Sequence, residues 1–125
     1  MVKVLVVEDE QDVAMVLSKR LIDEGFEVIN ALGAYQGYSL ALKDKPDLVI
    51  LDLMLPAGGG LKVLQHIRGS IQTINTPVII ITGIKDSQYE QQVRKEGVDA
   101  YIEKPYDFVT LKEAMLGILK KKGIC

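Results

Sequence analysis

Asp47-Leu48-Val49-Ile50-Leu51-Asp52-Leu53-Met54-Leu55-Pro56 runs through four unbroken apolar residues, delivers a carboxylate, and stays apolar up to a proline. An unbroken apolar run this short marks a strand buried on both faces. Residues 47–51 therefore read as a strand, with Asp52 at its carboxyl end. A residue there with only a structural role is rarely charged.

Outward from this stretch the same punctuation recurs. Residues 3–7, 26–31, 78–81 and 100–102 are further β-rich runs, and helical patterns fill the intervals. Over 10–24 the three-four spacing puts Val13, Val16, Leu17 and Leu21 on one apolar face, with the stem of Arg20 alongside and Gly25 as the stop. A second helix over 34–43 is halted by Lys45-Pro46. Pro56-Ala57-Gly58-Gly59-Gly60 reads as a loop and 61–68 as a third helix ending at Gly69. A fourth helix covers 86–96 and ends at Gly97. Asp107 or Thr110 caps the last helix, Thr110 and Glu113 having the spacing of a capping box. Its apolar face is Leu111, Ala114, Met115, Ile118 and Leu119, and Lys120-Lys121-Lys122 sit at its negative dipole end. Five strand–helix units predict an α/β fold: a doubly wound parallel sheet with helices on both faces and right-handed crossovers. The 125 residues amount to one domain, 1–125, with no internal linker or repeat.

Composition narrows the function. Apolar residues are 48% and charged residues 26%, the balance of a globular domain. Fifteen Lys+Arg against seventeen Asp+Glu leave a net charge of −2, which argues against direct nucleic-acid binding. One His and one Cys, Cys125, argue against a Cys/His zinc site, and a lone Cys fits a reducing compartment. No apolar run spans a bilayer and no secretory signal is present, so the expected location is cytoplasmic, without membrane contact.

In a sheet of this kind a site forms beyond the carboxyl ends of the strands. Glu8 and Asp9 follow the first strand, Asp52 the third, Thr82 and Gly83 the fourth, and Glu103, Lys104 and Pro105 the fifth. Two carboxylates about 4 Å apart repel by roughly 4 kcal/mol at an effective dielectric near 20. Three of them call for a cation or for proton uptake. Mg²⁺ suits oxygen ligands in an open cavity. Lys104 adds positive charge and Thr82 a hydrogen-bond donor, which together describe an anion cradle beside a nucleophilic carboxylate.

Glu8-Asp9, Asp52 within its apolar strand, Ile81-Thr82-Gly83 and Lys104-Pro105 resemble the signature of the response-regulator receiver domain of two-component signalling, over residues 2 to about 119. The resemblance implies a CheY-like, flavodoxin-like (βα)5 fold with strand order 2-1-3-4-5. It implies a signalling switch rather than an enzyme acting on external substrates. Asp52 would be the phosphoacceptor, loaded from the phosphohistidine of a sensor histidine kinase or from a phosphotransfer protein. Asp9, Asp52 and the backbone carbonyl of Met54 would hold Mg²⁺, with Glu8 contributing directly or through water. Thr82 and Lys104 would hold the phosphoryl oxygens, Tyr101 would be the aromatic switch, and the Lys104–Pro105 bond would be cis. A downstream effector protein or domain would read the switch, and a phosphorylation-dependent dimer is among the assemblies implied. His66, in the third helix, is read as a surface residue and not a phosphoryl donor.

Some positions depart from the family pattern. Gly59 stands where the family often has an acid. Ala100 and Ala114 stand near the Asp and Arg that pair across the dimer of the winged-helix branch, which disfavours that dimer here. Two rival readings belong to other classes. One is a pseudo-receiver, a phosphorylation-independent interaction module. The other is a flavin- or nucleotide-binding enzyme, opposed by the absence of a glycine-rich turn after the first strand.

Overall fold

Every residue of β3 (Leu48–Asp52) is buried, as its apolar run requires. The structure, a computed structural model, describes residues 1–124; Cys125 lies outside the described residues. Around β3 the chain builds β1 (Lys3–Val7), α1 (Gln11–Asp23), β2 (Glu27–Ala31) and α2 (Ala34–Asp44) before it, and α3 (Gly59–Gly69), β4 (Val78–Thr82), α4 (Ser87–Lys95), β5 (Ala100–Glu103) and α5 (Phe108–Lys121) after it. The five strands are all parallel, in the order β2-β1-β3-β4-β5. This is the flavodoxin-like order that the resemblance implied.

Alternation along the strands divides the core in two. Val4, Val6, Leu48, Ile50, Ile79, Ile81 and Ile102 pack with Leu21 of α1 and with Leu111, Met115 and Leu119 of α5. Leu5, Val7, Val49, Leu51, Val78 and Ile80 pack with Ala41 of α2, with Val63, Leu64 and Ile67 of α3, and with Val93 of α4. Continuing the alternation past the strand ends puts Glu8, Asp52 and Lys104 in phase with the α1/α5 face. Thr82 and Tyr101 fall in phase with the α4 face.

Three expectations need correction. The buried face of α1 is Ala14, Ser18 and Leu21. Val16 is 66% exposed and Val13 40%. The small side chains lie against the sheet, and Val13, Val16 and Leu17 turn instead toward a groove shared with Tyr106 and Phe108. Second, the stretch 56–60 is not all loop. Pro56–Gly58 forms one 3-10 turn, and Gly59 and Gly60 are the buried first turn of α3. A Cβ on Gly60 would lie 2.5 Å from Leu53 Cα and 2.6 Å from its carbonyl oxygen, so backbone approach overrides the low helix propensity of glycine. Third, α5 starts at Phe108 with Asp107 at the N-cap position, whose side chain makes no capping hydrogen bond. Thr110 is already inside the first turn, so the capping box does not form. Asp86 does cap α4, accepting from the Gln88 and Tyr89 amides at 3.0 and 3.2 Å.

At the end of the sheet where the strands begin, Arg68 ties separate segments together. It donates to the carbonyls of Ile74 (3.0 Å), Thr76 (2.7 Å) and Gly97 (2.8 Å) and pairs with Asp99 at 3.3 Å. Asp99 Oδ2 also accepts from the Val78 amide at 2.8 Å.

Candidate functional site

The β3 strand delivers Asp52 5% exposed at the carboxyl edge of the sheet. Its two oxygens have different partners. Oδ1 accepts from the Met54 amide at 2.8 Å, a bond within the loop that Gly60 lets close. Oδ2 accepts from Lys104 Nζ at 2.8 Å. Lys104 follows β5, where its own amide donates to the Thr82 carbonyl at 2.8 Å, and the Lys104–Pro105 peptide is cis. The same ammonium lies 3.6 Å from Glu8 Oε1. Glu8 follows β1, is 5% exposed, and accepts from the Glu10 amide at 3.1 Å. A cavity of about 20 Å³, lined by Val6, Glu8, Ile50, Asp52, Lys104 and Tyr106, lies among these groups. It has room for about one water.

One ammonium faces two carboxylates here. Burial first, and then the neighbouring Asp52, push the Glu8 carboxyl up to about 7, against the opposing Glu10 amide and Lys104 charge. Burial would lower the Lys104 ammonium, but its hydrogen bond to Asp52 and the charges of Asp52 and Glu8 hold it above its ordinary value. The site is one positive charge short. The folded state holds the Glu8 proton more tightly than the unfolded chain does. That contribution to stability is full below the ordinary value of 4.5 and is lost as pH rises through about 7. In metal-free buffer the denaturation midpoint should therefore fall between pH 5 and pH 8, by on the order of 2 kcal/mol. Glu8→Gln should flatten that slope. A Glu8→Gln protein with the parent's slope would remove Glu8 as the cause.

Thr82 is fully buried, and its Oγ1 accepts from the Ile84 amide at 2.9 Å, leaving the hydroxyl proton free to donate. Tyr101 packs against the α4-side core, its hydroxyl buried without a partner, which costs about 1–3 kcal/mol. Burial, then Glu90, Glu103 and Tyr89, raise its phenol above the ordinary value while Arg94 opposes them, so it stays neutral. Asp9 is exposed. Among the described residues no three His, Cys, Asp or Glu side chains gather into a metal-holding cluster. The structure thus joins Glu8, Asp52 and Lys104 directly and sets Thr82 one strand away. It does not bring the Asp9 side chain to them. His66 is exposed, as expected, and its ring lies 4.7 Å from that of Tyr38. Gly60 escaped the sequence reading; the glycine run was its only local signal. Among the described residues no helix is long and apolar enough to cross a membrane.

The comparisons with known proteins agree with this arrangement. The response regulator ArlR of Staphylococcus aureus is 38% identical over 122 residues, covering 98% of this chain and 54% of ArlR. The chain thus spans about half the length of the curated relatives it matches. The receiver domain of the Francisella response regulator 1452 superposes with a TM-score of 0.86 at 28% identity, covering 98% of this chain and 99% of that one. A response regulator receiver domain protein from Clostridium thermocellum gives 0.90 at 28% identity, covering 99% and 98%. Residues 4–116 match the family described as response regulator receiver domain. With the motifs at the strand ends and the 2-1-3-4-5 sheet, that match over most of the chain places it in the response-regulator receiver family of two-component signalling.

Proposed function

We propose that the chain is a phosphoacceptor switch, and that Asp52 takes a phosphoryl group from the phosphohistidine of a sensor histidine kinase or phosphotransfer protein. The observation that supports this most directly is the 2.8 Å contact of Lys104 Nζ with Asp52 Oδ2 beside the buried Glu8. In the transfer a carboxylate oxygen of Asp52 forms the new bond to phosphorus while the bond to the histidine nitrogen breaks, and the imidazole leaves with a proton. Lys104 neutralises charge on the phosphoryl oxygens, and Thr82 donates its free hydroxyl proton to one of them. The Met54 amide keeps Asp52 oriented.

The donor set fits Mg²⁺. It is all oxygen, and it carries a carboxylate that otherwise holds a proton to about pH 7. Asp9, Asp52 and the Met54 carbonyl would hold the ion, with Glu8 directly or through water. When bound it supplies the positive charge the site lacks. Acetyl phosphate or phosphoramidate with Mg²⁺, followed by mass spectrometry, should yield one aspartyl phosphate, at Asp52. No labelling would favour the phosphorylation-independent interaction module.

The output face on this reading is α4, β5 and α5, read by an effector protein or domain. Val93 is the one fully buried residue of α4, so the helix has few anchors to hold it in place. Ala100 and Ala114 are half-buried and uncharged, and supply no ion pair across a dimer.

Lifetime follows from two side chains beside the acceptor. Met54 is 54% exposed, and its sulfur lies 3.2 Å from where a Cβ on Gly83 would sit. Ile84 is half-buried two residues past Thr82. Neither orients a water for attack on phosphorus, so decay should be slow. A Met54→Asn, Ile84→Glu double variant should lose its phosphoryl group roughly tenfold faster, a modest part of what a positioned proton acceptor contributes. Equal decay of parent and double variant in Mg²⁺ buffer would remove the shielding role.

A further inference from the structure

Arg94 and Glu90 pair one turn apart on α4, Nε to Oε2 at 2.7 Å. The pair holds the guanidinium carbon 5.1 Å from the centroid of the Tyr101 ring on β5. Beneath it, Tyr101 packs beside Ile84 and Tyr89 on the cluster that contains Val93, with its hydroxyl buried and unpartnered. The hydroxyl gains no hydrogen bond there, so the ring is held by apolar packing and by the cation on its face. An exposed ion pair contributes little alone. Here Glu90 fixes where the guanidinium sits, and a cation placed over an aromatic face is attracted to it.

We infer that Arg94, steadied by Glu90, is a positioning residue: it holds Tyr101 in its unphosphorylated place and so sets how readily phosphorylation of Asp52 moves α4. This rests on the phosphoacceptor reading above. Releasing the contact removes an interaction of the resting arrangement only, so a phosphoryl mimic then has less to overcome. The charge alone does not suffice, because Arg94 works through a planar group kept parallel to a carboxylate fork and a ring face.

The test is a double-mutant cycle between Arg94 and Tyr101, read as the affinity for beryllofluoride with Mg²⁺ and as amide exchange across α4. Arg94→Gln should bind beryllofluoride roughly two- to fivefold more tightly than the parent, the range an exposed cation–ring contact allows. It should also exchange α4 amides faster in the unliganded protein. Glu90→Gln should move both readouts the same way by less, and Arg94→Lys should restore them in part. In a Tyr101→Leu background Arg94→Gln should have no further effect on affinity. Equal effects of Arg94→Gln with and without Tyr101, or no effect in either, would overturn the inference. Failure of the parent itself to bind beryllofluoride would overturn the phosphoacceptor reading and, with it, any control of the switch by Arg94. Amide exchange would then report only a contact between α4 and β5.

Discussion

Asp52→Asn should abolish covalent labelling by acetyl phosphate, with no aspartyl phosphate found elsewhere in the chain. The amide nitrogen and oxygen of asparagine fill the same space, so β3 and its loop should persist. The Met54 amide that donates to Oδ1 at 2.8 Å can still meet the amide oxygen. What goes is the nucleophile and one negative charge beside Lys104. With that charge gone, one ammonium faces one carboxylate, and the Glu8 carboxyl loses its second-ranked upward push. The variant should therefore also show a shallower loss of stability between pH 5 and pH 8 than the parent. Intact-mass spectra of parent and variant after the same treatment decide the first point. Equal labelling of both proteins would place the acceptor elsewhere.

The largest effect on stability is expected at Gly60. An added Cβ meets Leu53 Cα at 2.5 Å, Leu53 O at 2.6 Å and the Asp52 carbonyl at 2.8 Å, all backbone atoms with nowhere to go. Gly60→Ala should cost about 3 kcal/mol or more, at the upper end for overpacking. Because the crowded backbone is the one that carries Asp52 and the Met54 amide, the same change should slow phosphorylation in whatever fraction stays folded. Gly117, exposed in the interior of α5 with no atom within 4 Å of its added Cβ, is the natural contrast. Gly117→Ala should stabilise by about 0.5–1 kcal/mol through helix propensity. Denaturant midpoints of the two variants measure both. A Gly60→Ala protein as stable as the parent would mean that α3 sits farther from the β3 loop than described.

The contrast between these glycines also shows what could be read from the residues alone. Leu48-Val49-Ile50-Leu51 announces a strand buried on both faces, because nothing polar interrupts it. A carboxylate closing such a run must stand at the exit of the sheet. That logic found Asp52, Thr82 and Lys104, and Glu8 by its place after β1. Gly60 looked like loop because helix propensity is a local quantity, whereas the crowding against Leu53 is a tertiary one. The turn of α1 toward Ala14 and Ser18 escaped for a similar reason. The spacing of Val13, Val16 and Leu17 defines an apolar stripe but not which side of it touches the sheet. Asp9 could be assigned a ligand role only by resemblance, and its exposed side chain shows how little the backbone alone dictates there.

Arg68 has a mechanical consequence. Its bond to the Gly97 carbonyl, 2.8 Å long, tethers the chain just beyond the last turn of α4, while the other end of that helix is capped only by its own Asp86. A rod fastened at one end swings; it does not slide. The nine residues of α4 make a lever about 13 Å long, so a tilt of about 10° carries its free end by roughly 2 Å. That free end is the one nearest Thr82 and Ile84, where the phosphoryl group would pull. The fulcrum lies at the opposite edge of the sheet, so the stroke is greatest where the force is applied and fades toward Gly97.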